Sequence, residues 1–110
     1  LFRSSAASDV YKRQMKTLLN WRKSSDAVGK GKLIHFPVTD GLYVYFRKYK
    51  EDIVMVAVNN LDQREDLDPE LYKDVIGGKK KAIEIFSEKA YSLRKKIRIH
   101  PKSAKIFQIK

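Results

Sequence analysis

The sequence predicts an all-β fold, an antiparallel β-sandwich preceded by one short α-helix. Three observations support this prediction. From Lys32 onward the chain contains about seven short apolar or alternating segments, spaced at roughly 8–12 residues, which is typical of sandwiches. Turn-forming glycine, aspartate and asparagine residues separate these segments. Ahead of them, apolar residues recur at helical spacing in a single stretch, MKTLLNWRKSS, which begins at Met15.

The helix is predicted from the spacing of three apolar residues. Met15, Leu18 and Leu19 fall on one face of a helix, and Trp21 flanks this stripe. Arg22 lies near the C-terminal end, where the helix dipole favours positive charge. A helix of this length is only marginally stable in water without tertiary support. We therefore expect its apolar face to pack against another part of a protein.

The strands are predicted from period-two patterns and short apolar runs. In LYVYFRKY, Leu42, Val44 and Phe46 face one side of the strand, and the residues between them face the other. IVMVAV is apolar on both faces, which is typical of a central strand covered on both sides. In the polar stretch after it, Asp68 followed by proline predicts a brief helical turn. The predicted strands are KLIHF at 32–36, LYVYFRKY at 42–49, IVMVAV at 53–58, KAIEIF at 81–86, AYSL at 90–93, KIRIH at 96–100 and AKIFQI at 104–109.

Composition restricts the possible classes of function. The chain has no cysteine, which excludes disulfide frameworks and thiolate metal sites. No apolar run approaches the ~18 residues needed to cross a bilayer. The net charge of +11 would attract phosphate backbones and anionic surfaces. Many lysines, however, fall in predicted turns and strand ends, where charge keeps strand edges from pairing with other chains, and we favour this interpretation.

The stretch at residues 1–14, LFRSSAASDVYKRQ, shows neither a helical stripe nor strand alternation. It resembles translated sequencing adapter: Ser4 to Gln14 can be spelled in one reading frame of a transposon-type adapter, and LFRS resembles the end of a second one. We therefore expect residues 1–14 to be non-native and disordered, and we set them aside when predicting the fold. This hypothesis makes residues 15–110 the tail of a longer chain. A disordered native arm is the alternative.

The following segments resemble the C-terminal part of α-amylase-family glycoside hydrolases, in the neopullulanase and cyclomaltodextrinase branch. They are LLNWRKSSDAVGKGKLIHF at 18–36, DGLYVYFR at 40–47, IVMVAVNN at 53–60 and PKSAKIFQI at 101–109. The resemblance implies that residues 15–28 are the last helix of a catalytic (β/α)8 barrel with its linker, and that residues 29–110 are the β-sandwich called domain C. The helix would then dock on the missing barrel through Leu18, Leu19, Trp21 and Arg22.

The resemblance places no catalytic residue in this chain. Glycoside hydrolysis usually requires two carboxylates that flank the scissile bond, and in a barrel enzyme these lie at the ends of strands that would precede Met15. The acidic residues present, such as Asp62 and Asp66, cluster in predicted turns. His35 and His100 lie in strand patterns with no third ligand nearby in sequence, so we expect no metal site and no cofactor.

The tyrosines of LYVYFRKY are the candidate binding residues. Tyr43, Tyr45 and Tyr49 form a row together with Arg47. Such a row can stack on sugar rings, which makes these residues possible glucan contacts, or it can bind single-stranded nucleic acid. The third interpretation, which we favour, is cross-strand packing or docking of the sandwich onto the barrel.

These observations predict the accessory C-terminal β-domain of an α-glucan-hydrolysing enzyme of the neopullulanase, cyclomaltodextrinase or α-amylase type, structural and non-catalytic by itself. The parent chain would be the enzyme, from a bacterial periplasm or cytoplasm. The expected partners are the missing barrel and, through the parent, α-glucans or cyclodextrins, with no nucleic acid and no membrane. Two alternatives stay open: a free-standing basic module for single-stranded nucleic acid, and an independent carbohydrate-binding module.

Overall fold

The computed structural model describes residues 4–36 and 41–110, with side chains described from Lys12 onward. Within these ranges no helix is long and apolar enough to cross a membrane. The elements in chain order are α1 (Ser4–Ser24), α2 (Asp26–Lys30), β1 (Lys32–His35), β2 (Leu42–Tyr49), β3 (Asp52–Asn59), β4 (Glu65–Leu67), a 3₁₀ turn (Pro69–Tyr72), α3 (Lys73–Ile76), β5 (Lys81–Glu84), β6 (Ala90–Ser92), β7 (Ile97–Ile99) and β8 (Ser103–Ile109).

Two sheets of unequal size make up the β-domain. Strands β1, β2, β3, β8, β5 and β6 form one antiparallel sheet in that order, and β4 pairs with β7 in a small second sheet. In the large sheet β3 is central, so that Met55 lies opposite Phe46 on one side and Phe107 on the other. The predicted fold class, an all-β antiparallel sandwich preceded by a helix, is confirmed.

The hydrophobic core lies between the two sheets. Leu42, Val44 and Phe46 of β2 point into it, as the alternation of LYVYFRKY predicts. Leu67 of β4 and Ile97 of β7 enter from the small sheet, and both are almost completely shielded from solvent. The burial of each such side chain contributes about 1.5–3 kcal/mol. The sandwich is therefore held by apolar packing across its two layers.

The opposite face of the large sheet, called the outer face below, meets the two N-terminal helices. It carries Tyr45 and Arg47 of β2 and Val54 and Val56 of β3. The short helix α2 packs on β2 and β3 at this face. Val54 is only 2% exposed, and Ile53 beside it is buried in the core. Val56 and Val58 on the outer face are half-buried, so the prediction that IVMVAV is covered on both sides is confirmed at Val54 and only in part at the other two valines.

The N-terminal helix differs from the prediction. Its backbone begins at Ser4 rather than at Met15, so the expectation that residues 1–14 are disordered is wrong for residues 4–14; residues 1–3 lie outside the described part. The physical reason is that Ala6, Ala7 and Gln14 favour a helix, and adding turns to an existing helix avoids the cost of nucleation. The adapter-like origin of the segment is a separate hypothesis and stays a prediction.

Two elements in the polar central stretch were not predicted. Strand β4 has a single apolar residue, Leu67, and forms by pairing with β7, where Leu67 lies opposite Ile97. The helix α3 is a single turn. The predicted helical turn at Asp68 is confirmed, because the Asp68 side chain accepts a hydrogen bond from the Glu70 amide at 3.1 Å and caps the 3₁₀ turn.

Candidate functional site

The junction between α1 and the β-domain is built by α2. Ser25 caps α2: its hydroxyl oxygen accepts a hydrogen bond from the Val28 amide at 3.4 Å. The Asp52 carboxylate, at the start of β3, accepts hydrogen bonds from the Ser25 hydroxyl at 3.2 Å and from the Ala27 amide at 2.8 Å. Gln108 of β8 donates to the same carboxylate at 2.6 Å. Asp52 therefore ties the start of α2 to two neighbouring strands.

The other end of α2 is held by Arg47. Its Nε donates to the Ala27 carbonyl oxygen and its Nη2 to the Gly31 carbonyl oxygen, each at 3.2 Å. The guanidinium fork suits this task because it presents several donors in one plane. A side chain at Gly31 would overlap the Ala27 carbonyl, so glycine permits this close approach. Arg47, predicted as a possible glucan contact, thus has two of its donors engaged by main-chain oxygens.

A groove of about 330 Å³ lies between α1 and the outer face. Leu19 in α1 is 48% exposed and Met15 is 38% exposed. The apolar stripe predicted for the helix is therefore present but only partly covered. All the predicted docking residues line this groove, together with aromatic and aliphatic side chains of the sheet: Leu18, Leu19, Trp21 and Arg22 from α1, and Tyr45, Val54, Val56 and Ile106 from the outer face.

A second cavity, of about 540 Å³, lies on the other side of the same helix. Trp21 lines this cavity as well as the groove. Thr17 of α1 and Ile83 of β5 are among the other lining residues, and Asp52 and Gln108 form part of its wall. The space between α1 and the sheet therefore extends to both sides of the Trp21 indole.

Three aromatic side chains, His35, Tyr43 and Tyr45, form a cluster on the outer face. His35 and Tyr43 stack with ring centroids 6.0 Å apart, and Tyr43 and Tyr45 lie 5.4 Å apart with their planes tilted by 38°. His35 Nδ1 and the Tyr43 hydroxyl are also hydrogen-bonded. Tyr43 and Tyr45 are half-buried and His35 is exposed. This arrangement shows cross-strand packing of the rings, and it leaves part of the cluster open to solvent.

Tyr49 lies apart from this cluster at the far end of β2. The ammonium groups of Lys30 and Lys50 lie 5.8 Å and 5.4 Å from its ring centroid, within the range of cation–π contacts. The structure therefore brings Tyr43 and Tyr45 together with His35, which the sequence did not single out as a binding residue. It places Arg47 and Tyr49 in separate surroundings.

Glu84 on β5 and Asp66 on β4 lie in separate surroundings. Glu84 is 2% exposed, and its carboxylate accepts hydrogen bonds from the Phe86 and Ser87 amides at 3.0 Å each, so it stabilises the turn after β5. Asp66 is exposed, with Arg98 at 4.0 Å. In the described part of the chain, no group of histidine, aspartate or glutamate residues could hold a metal ion.

The two-layer antiparallel sandwich and the helical junction on its outer face define the class of protein as an all-β domain with an N-terminal helical extension. Comparison with known proteins gives the particular family. The model of the cyclo-malto-dextrinase C-terminal domain family matches residues 33–108. The chain belongs to this family, and its membership confirms the resemblance identified in the sequence.

Solved structures of similar fold are α-amylases and related proteins. An Anoxybacillus α-amylase has a TM-score of 0.68 and 18% identity, over 84% of this chain and 21% of its own. An α-amylase from Geobacillus thermoleovorans complexed with acarbose has a TM-score of 0.65 and 15% identity, over 82% of this chain and 20% of its own. AmyP in complex with maltose has a TM-score of 0.66 and 16% identity, over 83% of this chain and 18% of its own. At these identities the likeness shows the fold alone, and this chain spans about a fifth of each matched structure.

The sequence indicated neither Asp52 and Gln108 as residues that hold α2 nor this role for Arg47. Asp52 and its partner Ser25 are 27 positions apart, and Gln108 is 56 positions from Asp52. The only local signal was the Ser-Ser-Asp motif after the predicted helix, since serine and aspartate favour helix N-terminal caps. That motif locates the start of α2 but does not indicate which strand residue binds it.

Proposed function

We propose that this chain is the accessory C-terminal domain of an enzyme that hydrolyses α-1,4 glucosidic bonds in α-glucans, with α-1,6 bonds as a further candidate. In this proposal the role of the chain itself is structural. The observation that supports the proposal is the family match over residues 33–108, in a chain that spans about a fifth of the similar α-amylase structures. The catalytic carboxylates would lie in the remaining part of such an enzyme.

The proposed domain boundaries are those predicted from the sequence. Residues 15–28 are the last helix of a (β/α)8 barrel with its linker, residues 29–110 are the accessory β-domain, and residues 1–14 are non-native. The partly exposed stripe of α1 supports this division, because Met15 and Leu19 line the groove beside the sheet yet stay 38% and 48% exposed, so the sheet covers them only in part. The docking residues of the proposal are those predicted above: Leu18, Leu19, Trp21 and Arg22.

The experiment is an activity assay with two proteins. The 110-residue chain is incubated with pullulan, soluble starch and β-cyclodextrin, and released reducing sugar is measured. A longer protein, encoded by the reading frame that continues upstream of Met15 in the source DNA, is assayed in parallel. We expect activity in the longer protein and none in the chain. Activity of the chain alone, or an upstream frame that encodes no barrel, would contradict the proposal.

A second candidate function is a direct glucan contact by the β-domain. It is favoured by the His35, Tyr43 and Tyr45 cluster, because aromatic rings on an exposed sheet face can pack against the apolar faces of sugar rings. The glucan contacts predicted from the sequence also included Arg47 and Tyr49. The Arg47 guanidinium already binds two main-chain oxygens, and the Tyr49 ring already contacts a lysine ammonium group. We therefore place the proposed contact at Tyr43 and Tyr45, with His35 beside them.

A further inference from the structure

We propose that residues 25–31 form a clasp that fixes the direction of α1 relative to the β-domain, and that Asp52 and Arg47 close it. In the longer protein the clasp would fix the orientation of the β-domain relative to the preceding domain. This consequence rests on the proposed function. The clasp itself is a property of the present chain. Asp52 and Arg47 act here as positioning residues.

The first arm of the clasp is centred on Asp52. One carboxylate oxygen accepts from the Ser25 hydroxyl and the Ala27 amide, and the other accepts from the Gln108 side-chain amide. Gln108 also donates to the Ile53 carbonyl oxygen at 3.2 Å, which orients it on the sheet. Charge-assisted hydrogen bonds of this kind are stronger than neutral ones. The start of α2 is therefore bonded to the sheet rather than simply packed on it.

The second arm is centred on Arg47 and holds the other end of the same helix. Its Nη2 donates to the carbonyl oxygen of Gly31, the C-cap of α2, and its Nε donates to the Ala27 carbonyl oxygen, which also accepts from the Gly31 amide at 2.8 Å. Ala27 is completely buried and contributes its amide to one arm and its carbonyl to the other. Asp52 binds the start of α2 at Ser25 and Ala27, and Arg47 binds its end at Gly31. The helix is therefore held against the sheet at both of its ends.

The direction of α1 depends on this attachment. Ser25 alone separates the end of α1 from the start of α2, so the position of α2 sets where α1 begins to leave the β-domain. The groove and the second cavity separate α1 from the sheet on both sides of Trp21. Van der Waals packing between α1 and the sheet is thus incomplete. The direction of α1 therefore depends on the hydrogen bonds that attach residues 25–31 to the sheet. Release of the clasp should let α1 move while the sandwich stays intact.

The test measures α1 and the sandwich separately in the same 110-residue chain. Hydrogen exchange is followed in residues 15–24 and in β3 and β8, and acrylamide quenching is followed for Trp21, the only tryptophan. The variants are Asp52→Ala and Arg47→Met. Their matched controls are Glu51→Ala, which removes an exposed acid next to Asp52, and Lys48→Met, which removes a neighbouring positive charge on β2.

We expect both clasp variants to speed exchange in residues 15–24 by about tenfold, with stronger Trp21 quenching and unchanged protection in β3 and β8. The controls should leave all three readouts unchanged. Gly31→Ala provides an independent variant, because it disturbs the clasp from the linker and alters no strand residue. It should reproduce the loosening of α1.

Several outcomes would overturn the proposal. One is unchanged exchange and quenching at α1 in Asp52→Ala and Arg47→Met, and another is loss of protection in β3 and β8 together with α1 in all three variants. A parallel loosening in Glu51→Ala and Lys48→Met would also overturn it. None of these readouts involves glucan hydrolysis, so failure of the clasp is distinguishable from failure of the proposed function.

Discussion

The side-chain amide of Asn59 donates a hydrogen bond of 3.1 Å to the main-chain oxygen of Ile99 and so joins the large sheet to the small one. The same nitrogen lies 2.8 Å from the Gln63 carbonyl oxygen and 3.2 Å from that of His100, and Asn59 Oδ1 accepts from the Leu61 amide at 3.0 Å. Asn59 is 1% exposed. A buried polar group with all its partners satisfied specifies one arrangement of the two layers.

We expect Asn59→Ala to lower the free energy of unfolding by about 2–4 kcal/mol, because it leaves buried main-chain groups without partners. The measurement is urea unfolding followed by circular dichroism. Asn60→Ala is the control, since Asn60 is exposed, and it should change stability by less than about 0.5 kcal/mol. Equal effects of the two substitutions would contradict a bridging role for Asn59.

Two leucines in the central stretch provide a matched test of the core. Leu67 is 0% exposed in β4, whereas Leu71 in the 3₁₀ turn is 65% exposed. We expect Leu67→Ala to cost about 2–5 kcal/mol, because it removes buried methyl groups and leaves a cavity. Leu71→Ala should cost less than about 0.5 kcal/mol. Chemical unfolding of both variants checks this difference, and a small effect at Leu67 would show that the β4–β7 layer is not part of the core.

Tyr72 gives the stability a specific dependence on alkaline pH. Burial raises the pKa of the Tyr72 phenol above its ordinary value of 10.0, and the Asp68 carboxylate raises it further. The folded state therefore holds the phenolic proton more tightly than the unfolded state, so this contribution is fully present below pH 10 and is lost as the pH rises through the higher folded-state pKa. Tyr72→Phe should show a shallower loss of stability between pH 9 and about pH 11. Parallel slopes for the two proteins would contradict this assignment.

The strands could be predicted where the pattern is local. In LYVYFRKY the alternation of Leu42, Val44 and Phe46 is sufficient, because a half-buried strand has a period of two regardless of its partners. β4 could not be predicted in this way: Glu65 and Asp66 are polar, and the segment becomes a strand through its pairing with β7. Strand propensity in such a segment is set by tertiary context.

The site shows the same division between local and distant information. The apolar stripe of α1 and the tyrosines of β2 were found from spacing alone, and the structure places them at the groove and in the aromatic cluster. The bonds of Asp52 and Arg47 to residues 25–31 join positions 16 to 27 residues apart, and no local pattern encodes them. Their discovery required the folded arrangement of β2, β3 and β8.

Removal of residues 1–14 tests the hypothesis that they are non-native. We expect the chain that begins at Met15 to retain the β-domain, with a free energy of unfolding within about 0.5 kcal/mol of the 110-residue chain, because the core clusters lie in residues 42–109. Urea unfolding and the dispersion of amide NMR signals check this. A chain that begins at Thr17 serves for comparison, since it also loses Met15 from the groove. Loss of folding on removal of 1–14 would show that the segment belongs to the native fold.

The glucan contact is tested with single tyrosine substitutions on β2. If the sugar packs on the His35 cluster, Tyr43→Ala and Tyr45→Ala should each weaken binding of maltoheptaose or β-cyclodextrin by about 5- to 30-fold, equivalent to roughly 1–2 kcal/mol, because they remove a ring from the surface. Tyr49→Ala on the same strand should have little effect, since the Tyr49 ring lies between Lys30 and Lys50. Isothermal titration calorimetry measures the affinities, and circular dichroism confirms that each variant is folded. Absence of measurable binding by the unsubstituted chain, or equal losses for all three tyrosines, would exclude the cluster as the contact and leave cross-strand packing as its role.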